Sequence, residues 1–194
     1  MREYTCNICK RKLEYTKREL VSKVVRNMHY DYLISAYKYK SIIRKLLLDF
    51  KFEDKKYLVD FLSLELTKLI QQYHIFDNID YILYVPISLK RFYERGYNQS
   101  YLIANRISKE LGIPIIKYGL IKIKNNKRQS ELNHIDRVLN AKDVYRVNKL
   151  YDFEEKNIVL IDDIFTTGST VNECSRILKE CGVKKIIVAT VAIA

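Results

Sequence analysis

The hydrophobic and polar positions of this chain follow two patterns, short apolar runs and longer segments with apolar residues three or four apart. Helical spacing predicts two helices from Ser41 onward, broken near "KFEDKK", and a third in "YNQSYLIANRISKELG". Short apolar runs predict strands in "IDYILYVPIS", "IPIIKYGLIKIK", "DVYRV", "NIVLI" and "KKIIVATVAIA". The segment "YLISAYKYK" predicts either a strand or an irregular segment. Strands that alternate with helices predict an α/β fold with a central, mainly parallel sheet flanked by helices.

Two helices carry a clear apolar face and a glycine at the end. The first has Leu102, Ile103, Ile107 and Leu111 before Gly112. The second has Val171, Cys174, Ile177, Leu178 and Cys181 before Gly182. Glycine suits the left-handed residue that ends many helices, and we expect both cysteines of the second helix to be small core residues.

The stretch "NIVLIDDIFTTGSTVNEC" carries the most specific chemistry. A buried strand predicted at residues 158–161 ends in Asp162 and Asp163, and a row of small residues follows, namely Thr166, Thr167, Gly168, Ser169 and Thr170. Free amides and hydroxyls at a helix start can hold a phosphate, whereas carboxylates can accept hydrogen bonds from a sugar diol or help to hold hydrated Mg²⁺. The stretch therefore predicts a site for a ribose 5-phosphate; the alternative is an ordinary strand-to-helix turn with a solvated acidic pair.

Two polar segments between predicted strands are further candidates. Residues 85–100, "VPISLKRFYERGYNQS", gather Ser88, Lys90, Arg91, Arg95, Gly96, Asn98 and Gln99. This composition suits an anion at the same sheet edge, and the alternative is a basic surface loop in which Asn98 caps the next helix. The segment "NKRQSELNHIDRVLN" predicts either a mobile lid that brings Lys127 and Arg128 to the site or an exposed connection.

Together these motifs resemble a known family. Four apolar positions, two acidic residues and TTGST are similar to the phosphoribosyl pyrophosphate (PRPP) signature of type I phosphoribosyltransferases. The wider pattern resembles the ComF-type competence proteins, which have a CxxC near the N-terminus, a lysine like Lys51, VP followed by RGYNQ, and positions matching Arg128, Gln129, Leu132, Arg137 and Asn140.

The resemblance implies a type I phosphoribosyltransferase fold with a small N-terminal appendage. It implies that Asp162, Asp163 and Arg128 are catalytic, that residues 166–170 bind the 5-phosphate, and that Mg²⁺ accompanies PRPP. The cations of residues 88–95 and Arg128 would bind pyrophosphate. It further implies a role in DNA uptake, with PRPP or a phosphoribosylated small molecule, single-stranded DNA and a competence helicase as partners.

The N-terminal segment, residues 1–40, carries a lone CxxC and precedes the phosphoribosyltransferase-like domain at residues 41–194. Cys6 and Cys9 would be the zinc ligands of a degenerate zinc ribbon. A structural zinc site needs four ligands, and His29 is the only histidine in residues 1–40 that could join the two cysteines. The CxxC motif is therefore a weak signal for zinc.

Charge and composition add a second functional hypothesis. The 194 residues carry a net charge of +12, and no apolar stretch suits a signal peptide or membrane insertion, so we expect a cytoplasmic protein. The basic surplus with 16 Tyr and 7 Phe also suits a non-catalytic module that binds single-stranded DNA or a partner protein. Tyr93 and Tyr97, beside Arg91 and Arg95, are the candidate stacking residues.

Overall fold

The structure is a computed structural model that describes residues 12–16, 21–22, 28–124 and 144–194. Its strands are β1 (Val21–Ser22), β2 (Tyr32–Lys38), β3 (Tyr81–Tyr84), β4 (Leu120–Lys122), β5 (Tyr145–Val147), β6 (Asn157–Phe165) and β7 (Lys185–Ile193). Its α-helices are α1 (Ser41–Phe52), α2 (Val59–Gln72), α3 (Leu89–Arg95), α4 (Gln99–Leu111) and α5 (Ser169–Glu180). Short 3₁₀ turns at Lys56–Leu58 and His74–Phe76 flank α2.

Five strands form the main sheet in the order β1-β2-β7-β6-β3. The pairs β2 with β7, β7 with β6, and β6 with β3 are parallel, whereas β1 is antiparallel to β2. The strands β4 and β5 form a separate antiparallel pair. The predicted α/β fold with a mainly parallel sheet is therefore confirmed. Both β1 and β2 of this sheet come from the N-terminal segment of residues 1–40.

The main sheet has a hydrophobic core on each face. The helices α1, α2 and α4 cover one face, where Leu47, Leu62 and Ile103 pack against Val159 and Ile161 of β6. The helix α5 and the β4–β5 pair cover the other face. Successive side chains of a strand point to opposite faces, so β6 sends Ile158 and Leu160 into this second core. Because both faces are covered, β6 and β7 are apolar almost throughout, as parallel strands usually are.

Most predicted elements are present. The two α-helices after Ser41 are separated by residues 53–58, which overlap the predicted break at "KFEDKK". Gly112 and Gly182 follow their helices with φ of +70° and +79°, as the sequence predicts. The "YLISAYKYK" segment contains β2, and the 3.6-residue spacing of α4 places Ile103 and Ile107 in the core.

The single strand predicted over "IPIIKYGLIKIK" is wrong. Ile115 makes only an isolated parallel bridge with Ile82, and regular pairing resumes in β4. Tyr118 has φ of +58°, which turns the chain between these two segments. A Cβ on Gly119 would lie 2.5 Å from Cδ2 of Leu83, so the backbone passes too close to β3 for a side chain there.

The prediction for the two cysteines is half right. Cys174, on the apolar face of α5, is fully buried in the core, whereas Cys181 is exposed. Cys181 is the residue after the last turn of α5, where the chain leaves the helical spiral, so the spacing rule that placed it on the apolar face no longer applies. In the described ranges no helix combines the length and the apolar character needed to cross a membrane.

Candidate functional site

Two loops meet at the carboxyl ends of the neighbouring strands β3 and β6. Tyr84 pairs with Ile161, so residues 85–88 leave β3 at the level of Asp162, whereas β6 continues beside β7 to Phe165 before the loop at residues 166–170 begins. The first loop leads to α4 on one face of the sheet, and the second leads to α5 on the other face. Crevices between connections that diverge in this way are the usual ligand sites of open α/β sheets.

A cavity of about 440 Å³ opens at this edge. Its lining brings together Lys51, Arg91, Arg95, Gln99, Asp162, Asp163, Thr166, Gly168, Ser169 and Thr170, all of which the sequence singles out. Apolar side chains complete the wall, among them Tyr39, Leu48, Phe52, Ile87 and Phe165. The size and the mixed lining suit a small phosphorylated metabolite.

Asp162 lies in the wall of this cavity and is partly buried. Its Oδ1 accepts hydrogen bonds from Ser100 Oγ and from the Asp163 backbone N–H, both at 2.9 Å. Burial, followed by the negative charge of Asp163, raises the pKa of Asp162 to about 7. Lys122 and Tyr145 are its neighbours on the face of the sheet that α5 and the β4–β5 pair cover. The negative charge of Asp162 acts to raise the pKa of both side chains.

Asp163 points to the other face of β6 and is ion-paired with Lys51 at 2.6 Å. Lys51 lies in the last turn of α1, and both side chains are largely buried. A lysine identified from the family resemblance thus contacts the acidic pair directly. The ion pair of Lys51 and Asp163 links the end of α1 to the carboxyl end of β6.

The hydroxyl-rich loop at residues 166–170 leads directly into α5. Gly168 has φ of +75°, and a Cβ there would lie 2.6 Å from the Phe165 ring. Thr167 Oγ1 and Ser169 Oγ are hydrogen-bonded at 2.8 Å, and Tyr145 is hydrogen-bonded to Thr170. Thr167 is the one predicted member of the loop outside the cavity lining; it braces Ser169. Hydroxyls and the positive end of α5 together suit a phosphate.

Some of the predicted residues in the loop after β3 have structural roles, and others line the cavity. Ser88 is buried and caps α3 by accepting from the Arg91 N–H at 3.3 Å, and Lys90 is exposed outside the cavity lining. Gly96 ends α3 with φ of +74°. Asn98 caps α4 and donates from Nδ2 to the Val85 carbonyl at 3.0 Å, which confirms the predicted cap.

Arg91 and Arg95 are the cations of this loop that reach the cavity. The Arg95 guanidinium lies 4.9 Å from the Phe52 ring centroid and donates to Gln99 Oε1 at 3.1 Å. Burial, and then the charge of Arg91, lowers the pKa of Arg95. Two partly desolvated like charges are costly unless an anion joins them, so this wall favours an anionic ligand.

Tyr97 is not a surface stacking residue. It is 6% exposed, its hydroxyl donates to the Phe50 carbonyl, and its ring packs against Phe50. Tyr93 is 82% exposed on α3, in agreement with its predicted position at the surface. Sequence alone placed both tyrosines beside arginines but could not show which one faces the core.

Lys122 and Tyr145 also line the cavity, although the sequence pattern did not predict either as a site residue. They come from β4 and β5, where Lys122 Nζ lies 5.4 Å from the Tyr145 ring centroid. Burial, and then the charge of Arg91, lowers the pKa of Lys122 to about 8. The alternation in "IKIK" was the available signal, since it places the lysines on one face of a strand.

Several predicted site residues lie outside the described ranges. They are Cys6, Cys9, Lys127, Arg128, Gln129, Arg137 and Asn140. Within the described ranges, no group of three His, Cys, Asp or Glu side chains could hold a metal ion. Asp162 and Asp163 nevertheless fit the common mode for Mg²⁺, in which one or two carboxylates act together with phosphate oxygens of the ligand.

Known proteins show similarity to this chain. The sequence profile of the phosphoribosyl transferase domain matches residues 98–193. Competence protein F of Haemophilus influenzae is 28% identical over 93% of this chain and 81% of its own length. Competence protein ComFC of Bacillus subtilis is 28% identical over 76% of this chain and 58% of its own length.

Solved structures also align with the chain. Adenine phosphoribosyl transferase from Trypanosoma brucei, crystallised with AMP, pyrophosphate and ribose-5-phosphate, covers 89% of this chain and 73% of its own chain. The identity is 16% and the TM-score is 0.48.

Proposed function

We propose that this chain is a competence-associated, phosphoribosyltransferase-like protein of the ComF type and that its cavity binds PRPP or another ribose 5-phosphate compound together with Mg²⁺. One observation carries the proposal. A single cavity joins the acidic pair, the hydroxyl-rich loop at the start of α5, and the cations Arg91, Arg95 and Lys122. The acidic pair suits a sugar diol, the hydroxyl-rich loop suits a monophosphate, and the cations suit a diphosphate.

Each part of the ligand has a matching wall. The 5-phosphate would accept hydrogen bonds from the hydroxyls and backbone amides of residues 166–170. The ribose hydroxyls would donate to Asp162 and Asp163, as charged acceptors bind hydroxyls strongly. The diphosphate would lie against Arg91 and Arg95, with Arg128 as a further proposed cation. When bound, Mg²⁺ would neutralise part of the phosphate charge, with Asp162 and Asp163 as its protein oxygen ligands.

A transfer reaction on this ligand would break the bond from C1 of the ribose to the diphosphate oxygen, which keeps the electron pair. A nucleophile would form the new bond to C1 with its own electron pair and release a proton to the departing diphosphate. The protein would contribute by holding the ribose, neutralising the leaving group and excluding water. The apolar wall of Tyr39, Leu48 and Phe52 would keep water from the reacting carbon.

Calorimetry tests the binding proposal. PRPP with Mg²⁺ should bind the wild type, and the double variant Asp162→Asn, Asp163→Asn should bind at least about tenfold more weakly because two charged acceptors are lost. Asp54→Asn is the matched control, since Asp54 is exposed, and it should bind like the wild type. If the wild type binds neither PRPP nor ribose 5-phosphate, the proposed function is wrong.

A second candidate function is favoured by the surface of α3. This helix buries none of its residues, and it exposes Leu89, Phe92 and Tyr93 beside Lys90. Exposed rings next to cations are the usual elements of single-stranded nucleic-acid binding. DNA uptake through a competence helicase would be the setting for this function and for the first one.

A salt titration of oligonucleotide affinity tests the second candidate. Contacts to phosphates require the affinity to fall steeply as the salt concentration rises. Tyr93→Ala should weaken binding, whereas Tyr57→Ala, which alters an exposed tyrosine outside α3, should not. A flat response to salt, or equal effects of the two variants, would reject this candidate.

A further inference from the structure

Gln99, the first residue of α4, has a buried side-chain donor with no partner. The residue is 2% exposed, and its Oε1 accepts from Arg95 Nη1 at 3.1 Å. Its Nε2 has no hydrogen-bond partner among the described residues. A guanidinium only donates, so the oxygen of the amide must face Arg95 and the NH₂ group must point elsewhere.

The position of this donor distinguishes it from the other unpaired polar atoms. In the described part of the chain, the remaining buried side-chain atoms without a partner are Ser175 Oγ and Thr190 Oγ1. Neither residue lines the cavity, whereas Gln99 does. Nε2 itself has almost no exposed surface, so a ligand would reach it after a small shift of the wall. An unpaired buried donor is unfavourable, and in a residue that lines a cavity it favours an acceptor that arrives with a ligand.

The surroundings of Gln99 favour an oxyanion as that acceptor. Arg91 and Arg95 line the same cavity, and the positive end of α4 begins at Gln99 itself. The neighbouring Ser100 hydroxyl already donates to Asp162. An alcohol would need an acceptor for its own proton here, whereas a phosphate oxygen needs only donors, and donors are what this wall supplies.

We propose that Gln99 Nε2 donates to an oxygen of the ligand's diphosphate group and thereby makes the site discriminate between PRPP and ribose 5-phosphate. This inference rests on the proposed function, because it takes a ribose 5-phosphate compound as the ligand. Arg95 holds the amide through Oε1, which leaves Nε2 as the group without a partner. Gln99 is thus a specificity-determining residue, whereas residues 166–170 contact the part that both ligands share.

The test compares the two ligands in three proteins. PRPP and ribose 5-phosphate, each with Mg²⁺, are titrated into the wild type, Gln99→Glu and Gln72→Glu. Gln99→Glu is nearly isosteric and keeps an oxygen that can accept from Arg95, but it replaces the donor with a negatively charged oxygen. Gln72, exposed at the end of α2, receives the same change of charge far from the donor.

We expect Gln99→Glu to weaken PRPP binding by about tenfold or more and ribose 5-phosphate binding by less than about twofold. Gln72→Glu should leave both affinities within about twofold of the wild type. Gln99→Met, which has no donor and no charge, should show the same selective loss, and its unliganded melting curve controls for misfolding. Both Gln99 variants should therefore lower the preference for PRPP over ribose 5-phosphate.

Three results would overturn the inference. If the Gln99 variants bind PRPP and ribose 5-phosphate equally more weakly than the wild type does, Gln99 has only a structural role in the site. An unchanged PRPP affinity would mean that an internal water satisfies Nε2. A wild type that binds neither ligand would reject the proposed function as well, whereas the first two results reject the role of Gln99 alone.

Discussion

At the scale of single residues, Asp162 and Asp163 are adjacent in sequence and have opposite surroundings. Successive side chains of β6 point to opposite faces, so Asp163 reaches Lys51 of α1 while Asp162 lies near Lys122 and Tyr145. One carboxylate therefore has a cation in contact, and the other is held by hydrogen bonds from Ser100 Oγ and a backbone N–H. Their contributions to stability should differ in sign.

The raised pKa of Asp162 predicts a gain in stability on removal of its charge. The pKa is about 7 in the folded protein and 3.8 for an ordinary aspartate. The folded state binds this proton more tightly, so this group's contribution to the free energy of unfolding falls as pH rises from about 4 to about 7. Asp162→Asn should be more stable than the ligand-free wild type by about 1–2 kcal/mol at pH 8 and no more stable at pH 4.

Urea unfolding at both pH values measures this difference. Asp54→Asn removes an exposed carboxylate and serves as the control, for which we expect no comparable gain between pH 4 and pH 8. A gain of equal size at both pH values would show that the effect comes from packing rather than from the charge.

The ion pair of Lys51 and Asp163 predicts the opposite response. Lys51→Met leaves a largely buried carboxylate without its contacting cation, and we expect the free energy of unfolding to fall by about 2–3 kcal/mol at pH 7. Adding Asp163→Asn removes the unpaired charge and should restore most of the loss. Denaturant unfolding of the two single variants and the double variant completes the cycle, and additive effects would contradict a direct interaction.

At the scale of elements, the loop between β6 and α5 depends on Gly168. Gly168→Ala combines an unfavourable φ of +75° with a clash against the Phe165 ring, whereas Gly112→Ala has a similar φ of +70° and open space. We expect Gly112→Ala to cost about 1 kcal/mol and Gly168→Ala about 2 kcal/mol or more. Gly168→Ala alone should also weaken binding of PRPP.

Thermal unfolding and calorimetry of the two glycine variants separate backbone strain from steric conflict. Equal losses of stability would show that the Phe165 ring moves aside without cost. Equal effects on PRPP affinity would show that the conformation of the loop does not depend on this contact.

Sequence pattern predicted those elements whose periodicity is long and regular. The apolar faces of α4 and α5 and the run that forms β6 were clear, because burial imposes the spacing directly. The break at Tyr118 was missed, since a positive φ at a tyrosine leaves no signature in the residue types. Lys122 and Tyr145 were missed for a related reason: their place in the cavity depends on how the β4–β5 pair packs against α5.

At the scale of the whole molecule, the cavity is built from four distant parts of the chain. They are the segment from Tyr39 to the end of α1, residues 85–100, the β4–β5 pair, and residues 162–171, which include the acidic pair. A ligand that contacts all four parts makes the local unfolding of each part less favourable. At a concentration of a hundred times its Kd, the ligand adds about 2.7 kcal/mol to the free energy of unfolding.

Hydrogen exchange with and without PRPP and Mg²⁺ tests this coupling. We expect slower exchange in all four parts, including α1, because Lys51 joins that helix to Asp163 at the cavity. The 3₁₀ turn at His74–Phe76, which contributes nothing to the cavity lining, is an internal control whose local exchange should not change. Protection confined to residues 166–170 would mean that the ligand is held through its 5-phosphate alone. In that case α1 and the β4–β5 pair would belong to the scaffold, and Lys51→Met would lower stability without changing affinity.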